Sequence, residues 1–286
     1  MIERVFPRDG DFPRCVFSSY LSLHELHMIA AQDTYTTSPN RKRLRFGNPI
    51  FAFYRRMLAA VFRSSQMAKR GKYTDDVWVE MSRRIMDALE YVGCRFTITG
   101  MDSFRSFEGP AVFVGNHMST LETFVLPCII QPVKPVTFIV KQSLIDYPVF
   151  RHIMRSRNPV VVNRDNPRED LVTVLREGDR RLRGGVSIIV FPQTTRTNDF
   201  TPDDFNTLGV KLAKNAGVPL VPMALKTDAW ANGKYLKDFG RIDPSLSVHI
   251  AFGEPLDITG AGREQHARVI AFISERWKTW NAVETS

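Results

Sequence analysis

The chain contains no uninterrupted apolar run of the roughly 18–20 residues that a membrane-spanning helix needs. Its opening residues, MIERVFPRDGDFPR, lack the apolar core of a secretory signal. No spanning segment is expected, so any membrane contact is made from the side. Cysteine is scarce. Cys15, Cys94 and Cys128 are odd in number, far apart, and without a C-x-x-C pair. That pattern suggests neither a disulfide framework nor a zinc site, no metal is expected, and a reducing cytosolic setting fits best. The G-x-S-x-G motif of a nucleophile elbow is missing. There is no internal repeat and no low-complexity tract.

Acidic residues are missing from one place in particular. Residues 41–70 hold Arg41, Lys42, Arg43, Arg45, Arg55, Arg56, Arg63, Lys69 and Arg70 and no Asp or Glu. The formal charge of the whole chain is +9, so this segment carries all of it and the remainder is close to neutral. A basic block of that kind seeks a polyanion, an anionic membrane surface or a nucleic acid. The segment interleaves aromatics with basic residues but has no recognisable nucleic-acid motif, and no nucleic-acid partner is expected.

What is present is enough apolar residue, 43% of 286 positions, to build a real core. Residues 1–48 read as an irregular extension interrupted by Pro7, Pro13 and Pro39, with a short helix expected over 18–31. His24 and His27 in that stretch do not have metal-binding spacing. Residues 49–67, PIFAFYRRMLAAVFRSSQM, have a helical period with Ile50, Phe53, Tyr54, Met57, Leu58, Val61 and Phe62 on one face. Arg55, Arg56, Arg63 and Gln66 lie mostly opposite. Such a helix either lies in a bilayer interface or packs on its own domain with a solvated basic face. A second helix is expected over 76–92.

From residue 95 strand-like and helix-like segments alternate. Strands are expected at 95–100, 111–116, 136–141, 160–164, 186–191, 219–225 and 247–253. Helices are expected from about 119, near 146–156, and at 168–183, 205–216 and 262–281. The alternation predicts an α/β domain over 94–286 with a twisted central β-sheet covered by helices on both faces, preceded by an N-terminal amphipathic helical region at 49–93.

In open α/β folds ligands gather at the carboxyl ends of the strands. Three polar stretches fall there: Asn116-His117, Asn163-Arg164, and PQTTRT at 192–197. An imidazole titrates near neutrality and can take a proton from an attacking alcohol, provided a carboxylate holds its tautomer and offsets the imidazolium. Glu122, five residues on, can fold back to His117. It equally completes Ser119-x-x-Glu122, the form of a helix capping box in which the carboxylate reaches back to the N-cap amide. Both readings stand on local sequence. Arg164 and Arg196 each follow a strand, and guanidinium forks bind phosphate oxygens through paired charge-assisted bonds. Thr194, Thr195 and Thr197 add hydroxyls. Ion pairs with Asp165, Glu169 or Asp199 would account for the arginines just as simply.

Four blocks in order resemble the 1-acylglycerol-3-phosphate acyltransferase family of lysophospholipid acyltransferases. They are Asn116-His117-MSTL-Glu122, VVVNR ending in Arg164, Phe191-Pro192-Gln193-Thr194-Thr195-Arg196-Thr197, and Val218-Pro219-Leu220-Val221-Pro222, with VKQSL (140–144) in support. The resemblance spans about residues 95–255. It implies acyl transfer from a thioester, acyl-CoA or acyl-carrier protein, to a lysolipid hydroxyl, with no further cofactor. It further implies His117 as general base, Glu122 as its orienting carboxylate, and direct attack without an acyl-enzyme. Asn116, Lys141, Arg164, Gln193, Thr194, Thr195 and Arg196 would bind substrate. The helix at 49–67 would dock the protein as a peripheral or monotopic enzyme on the cytoplasmic face of a membrane, through Phe51, Phe53, Tyr54, Arg55, Arg56, Phe62 and Arg63. Three departures matter: Glu122 stands where the family usually has Asp, Gln193 where it has Glu, and Thr194 where it has Gly. They lead us to expect a variant acceptor, such as an amino-acid-containing or larger-headgroup lysolipid. The competing expectation is a non-catalytic lipid- or partner-binding protein on the same fold, in which Glu122 serves only the helix cap.

Overall fold

The computed structural model describes residues 32–148, 150–193 and 195–284. The expected helix over 18–31, His24, His27, Cys15 and Thr194 lie outside the described residues. In chain order the elements are β1 (Tyr35–Thr36), α1 (Pro49–Lys69), α2 (Asp75–Val92), β2 (Arg95–Thr99), α3 (Asp102–Arg105), β3 (Val112–Gly115), α4 (Leu121–Ile130), β4 (Val136–Lys141), α5 (Gln142–Asp146), α6 (Arg151–Ser156), β5 (Val160–Val162), α7 (Pro167–Arg183), β6 (Ser187–Val190), α8 (Leu208–Ala216), β7 (Leu220–Lys226), β8 (Ser247–Phe252) and α9 (Arg263–Glu284). The helix boundaries follow local chemistry. The Asn48 side chain accepts the amides of Ile50 and Phe51 with Pro49 behind it, and Asn166-Pro167 opens α7 in the same way. Gly93 closes α2 in the left-handed conformation. The single helix expected near 146–156 is two short ones.

The eight strands form one mixed sheet in the order β1-β2-β8-β7-β3-β6-β4-β5. From β7 to β5 all neighbours are parallel, as short strands joined by helical crossovers must be. The β7–β8 pair is antiparallel. Its connection, 227–246, holds no helix, so the chain returns directly alongside the strand it left. Alternate residues of each strand feed two separate cores. Phe113, Ile189, Val221, Met223 and Leu225 face a cluster that also holds Phe53, Met57, Trp78, Met86, Leu89, Leu121 and Trp230, from α1, α2, α4 and the β7–β8 connection. Val112, Val114, Ile188, Val190, Leu220 and Ala224 face α7, α8 and α9. The sheet is thus covered by helices on both faces.

Two details of residues 32–93 differ from the expectation. Part of the irregular extension is anchored. Glu90, fully buried, accepts hydrogen bonds from Tyr35 Oη (2.7 Å) and Thr37 Oγ1 (2.6 Å) and pairs with Arg41 at 2.8 Å. Helix α1 also presents a different face from the one expected. Phe53 is 0% exposed and packs edge-on against Trp230. Its assignment to membrane docking is corrected: with Met57, Ala60 and Val61 it faces the helix's own domain. Tyr54 is half-buried and donates its hydroxyl to the Gly240 carbonyl at 2.6 Å. Arg56 lies over the Tyr91 ring at 3.9 Å, so it too turns inward. Phe51 (71% exposed) and Phe62 (54%), with Arg55, Leu58 and Arg63, form the outer stripe. Among the described residues no helix is long and apolar enough to cross a membrane.

Candidate active site

The five parallel strands bring their carboxyl ends to one edge, and three of those ends meet around His117. Strand β3 delivers Asn116 and His117, β6 delivers Phe191, Gln193 and, further along, Thr195, Arg196 and Thr197, and β7 delivers Thr227. Gly115 makes the approach of β3 to β7 possible. A Cβ there would meet the Met223 Cβ and carbonyl oxygen at 3.0 Å. Beyond the ladder, the Asn116 side chain continues the pairing: its Nδ2 donates to the Leu225 carbonyl (2.7 Å) and its Oδ1 accepts the Leu225 amide (2.9 Å). Asn116 is buried, and these two bonds fasten the histidine strand to β7.

Glu122 performs both jobs that the sequence left open. Oε1 meets His117 Nδ1 at 2.9 Å and also accepts the amides of Met118 (2.7 Å) and Ser119 (3.0 Å). Oε2 accepts from Thr227 Oγ1 (2.7 Å) and Ser119 Oγ (3.1 Å). Ser119 Oγ in turn accepts the Leu121 amide at 3.1 Å, two residues on rather than the three of a full capping box, so only the carboxylate's half of the box is made. The carboxylate is 0% exposed. Burial alone would raise its pKa. Hydrogen bonds from His117, Thr227 and Ser119, together with the imidazole beside it, outweigh burial and hold it below the ordinary glutamate range. An ionised Glu122 can only accept, so Nδ1 of a neutral His117 carries the proton and Nε2 keeps its lone pair.

Three further contacts fix the imidazole. Phe191 stacks on it at 4.4 Å with 9° between the planes. The His117 amide donates to Gln193 Oε1 at 2.6 Å, and the His117 carbonyl accepts the Thr197 amide at 3.1 Å. Gln193 Nε2 donates to Thr197 Oγ1 at 2.9 Å. Gln193 is buried with both amide atoms engaged, so its expected contact with substrate is corrected as well: it sits behind His117, holding the turn.

On the open side, Arg196 points Nε at His117 Nε2 at 3.4 Å and pairs through Nη1 with Asp238 Oδ1 at 2.7 Å. Asp238 also accepts from Thr120 Oγ1 at 2.8 Å. Thr195 accepts from Lys237 Nζ at 3.2 Å. Lys141 and Arg164 share the edge but stand further out. Strands β6 and β4 separate β5 from β3, a backbone spacing of about 14 Å. The structure therefore brings together His117, Glu122, Thr195 and Arg196, with Asn116 and Gln193 as their supports, and leaves Lys141 and Arg164 on the flank. Arg164 takes the left-handed conformation (φ 66°), and its amide donates to Asp170 Oδ2 at 2.9 Å. Thr227 and Asp238 belong to the β7–β8 connection and were missed. No motif marks them, and only the spacing of a polar run after β7 could have pointed there.

Residues 95–226 match the family model described as Acyltransferase. The chain is 28% identical over 188 residues to a 1-acyl-sn-glycerol-3-phosphate acyltransferase of Pseudomonas aeruginosa, covering 66% of this chain and 68% of that one. It is 31% identical over 128 residues to a chloroplastic protein of the same name from Brassica napus, covering 45% of this chain and 36% of the relative. The crystal structure of the 1-acyl-sn-glycerophosphate acyltransferase from Thermotoga maritima superposes with a TM-score of 0.63 at 22% identity, over 82% of this chain and 95% of that one, which shows a shared fold. Over residues 95–226 the chain is thus similar to acyltransferases, and the relatives that share this stretch are named 1-acyl-sn-glycerol-3-phosphate acyltransferases.

Proposed function

We propose that this protein moves a fatty acyl group from a thioester, acyl-CoA or acyl-carrier protein, to a hydroxyl of a phosphate-bearing lysolipid on the cytoplasmic face of a membrane. The observation that carries the reading is the 2.9 Å contact between His117 Nδ1 and a buried, ionised Glu122, which leaves the Nε2 lone pair turned toward Arg196. The acceptor hydroxyl gives its proton to Nε2 as its oxygen attacks the thioester carbonyl. Glu122 offsets the charge of the imidazolium that forms. When the tetrahedral intermediate collapses, the C–S bond breaks and the thiolate leaves with the proton that His117 holds. Arg196 binds the acceptor phosphate beside the base, and Thr195 adds a hydroxyl. Lys141 and Arg164 extend the cationic edge along which the headgroup approaches.

The contact between imidazole and carboxylate favours this reading over a non-catalytic protein, for which Glu122 would cap the helix without touching His117. The exchange of Glu for Gln at 193 gives no ground of its own for an unusual headgroup, because that side chain lies behind the histidine. Membrane docking is proposed through the outer stripe of α1, Phe51, Arg55, Leu58, Phe62 and Arg63. Apolar and basic residues alternate there as an anionic bilayer interface requires. The test is acyl transfer by the purified protein across a panel of lysophosphatidate, larger-headgroup and amino-acid-containing lysolipids, each with acyl-CoA and with acyl-carrier protein. Transfer to lysophosphatidate above all others is expected. Absence of transfer to every lysolipid contradicts the proposal.

A further inference from the structure

The connection between β7 and β8 lays a carboxylate on the arginine that the acceptor phosphate would need. Asp238 Oδ1 accepts from Arg196 Nη1 at 2.7 Å and from Thr120 Oγ1 at 2.8 Å. The other side of the same guanidinium faces the lone pair of His117 Nε2 at 3.4 Å. Arg196 therefore spans the anion position and the base at once. The Asp238 side chain is 50% exposed against 19% for Arg196, so the carboxylate meets the arginine from the solvent side. The loop is held at several points. Asn232 Nδ2 donates to the Met118 carbonyl at 2.8 Å, Lys237 Nζ to Thr195 Oγ1 at 3.2 Å, and Tyr54 Oη to the Gly240 carbonyl at 2.6 Å. These contacts keep the carboxylate on a defined spot.

We propose that Asp238 is a specificity-determining residue: a resident anion that an acceptor phosphate displaces from Arg196. The proposal rests on the assignment of Arg196 to the acceptor phosphate. A phosphate brings more negative charge and more acceptor oxygens than one carboxylate, so it takes over the guanidinium. As Arg196 turns to it, the Nε–H leaves Nε2 and the base is free for the acceptor hydroxyl. A neutral acylglycerol has no charge with which to displace Asp238 from Arg196, so the guanidinium stays between the base and its substrate. The device selects anionic acceptors through the availability of the base as well as through binding.

The test compares the full chain with its Asp238→Asn, Thr120→Val and Arg196→Gln variants, using lysophosphatidate and a monoacylglycerol as acceptors with one acyl-CoA. Removing the resident anion should lower the KM for lysophosphatidate roughly twofold to fivefold, the range of a partly exposed ion pair, and leave that for monoacylglycerol unchanged. Thr120→Val, which removes one of the two bonds to the carboxylate, should shift the same KM in the same direction by less. Titration with glycerol 3-phosphate reads the competition without turnover, and Asp238→Asn should bind it more tightly. A higher KM for lysophosphatidate in Asp238→Asn overturns the proposal, because the carboxylate would then be aligning Arg196 for the phosphate. An unchanged KM and unchanged glycerol 3-phosphate binding overturn it too. If Arg196→Gln raises the lysophosphatidate KM while Asp238→Asn has no effect, only the displacement idea fails. If Arg196→Gln leaves that KM unaltered, the assignment of Arg196 itself fails.

Discussion

Glu122→Gln keeps the volume of the side chain and removes its charge. The wild-type carboxylate accepts from five donors: His117 Nδ1, the amides of Met118 and Ser119, and the hydroxyls of Ser119 and Thr227. An amide can leave its oxygen at the Oε1 position, facing the three N–H groups. Its NH2 then takes the Oε2 position, where the two hydroxyls can rotate to accept. The fold survives at a cost of about 1–3 kcal/mol, the price of weakened charged hydrogen bonds in a buried site. Catalysis has no such remedy, because the imidazolium formed during attack faces a neutral group. The expected loss in kcat is about 10³–10⁴-fold, or roughly 4–5.5 kcal/mol of barrier, the scale seen when a triad carboxylate is made an amide. Glu122→Asp retains charge but withdraws the carboxylate by about one C–C bond, ~1.5 Å. Bonds of 2.7–3.0 Å then stretch beyond hydrogen-bonding reach unless the 116–122 turn moves, and a smaller fall in kcat, tenfold to a hundredfold, is expected. Initial rates and urea unfolding on the same preparations separate the two effects. A folded Glu122→Gln protein with kcat within about threefold of wild type would refute the reasoning and leave Glu122 as a cap alone.

The same carboxylate predicts how stability depends on pH. Its folded pKa is below the ordinary value of 4.5. Its contribution is therefore present above that unfolded value and is lost as pH falls through the lower folded one. Wild type should lose stability in urea titrations below about pH 4.5, and Glu122→Gln should show a shallower dependence over the same window. Gly209→Ala should destabilise by about 1–3 kcal/mol, because the added Cβ meets Val114 Cγ2 at 2.4 Å where α8 crosses β3; chemical denaturation checks it. Phe51→Ser with Phe62→Ser should weaken flotation with anionic liposomes several-fold while leaving the unfolding midpoint nearly unchanged, since both rings are exposed. Phe53→Ser should do the reverse and destabilise the fold, because Phe53 is in the core.

Much of this architecture could be read from the sequence because it obeys simple periods. The apolar runs at 111–115, 160–162 and 186–190 are buried parallel strands, and polar residues follow each one. The pairing of His117 with Glu122 was legible as one of two alternatives. The structure shows why local sequence could not choose: one carboxylate does both, with the imidazole and the amides of Met118 and Ser119 on the same oxygen. The faces of α1 were harder. The apolar positions of 49–67 cover so much of the helix that a 3.6-residue period cannot say which part turns inward, and Trp230, 177 residues beyond Phe53, makes that choice. Asn116 and Gln193 sit inside the motif blocks, yet their buried amides are taken up by Leu225, His117 and Thr197, contacts that depend on the order of the strands in the sheet. Thr227 and Asp238 come from a connection with no periodicity at all. Strand β1, two residues long, exists because β2 offers it an edge and Glu90 anchors it, and neither leaves a local pattern.

The central claim is that His117, held by Glu122, removes the proton from a lysolipid hydroxyl. Acyl transfer to lysophosphatidate from a labelled thioester, measured for wild type and His117→Ala at matched fold stability, tests it most directly. The account predicts transfer by wild type and a loss of at least about 10³-fold in the variant. A folded His117→Ala protein that transfers acyl groups at the wild-type rate would contradict it.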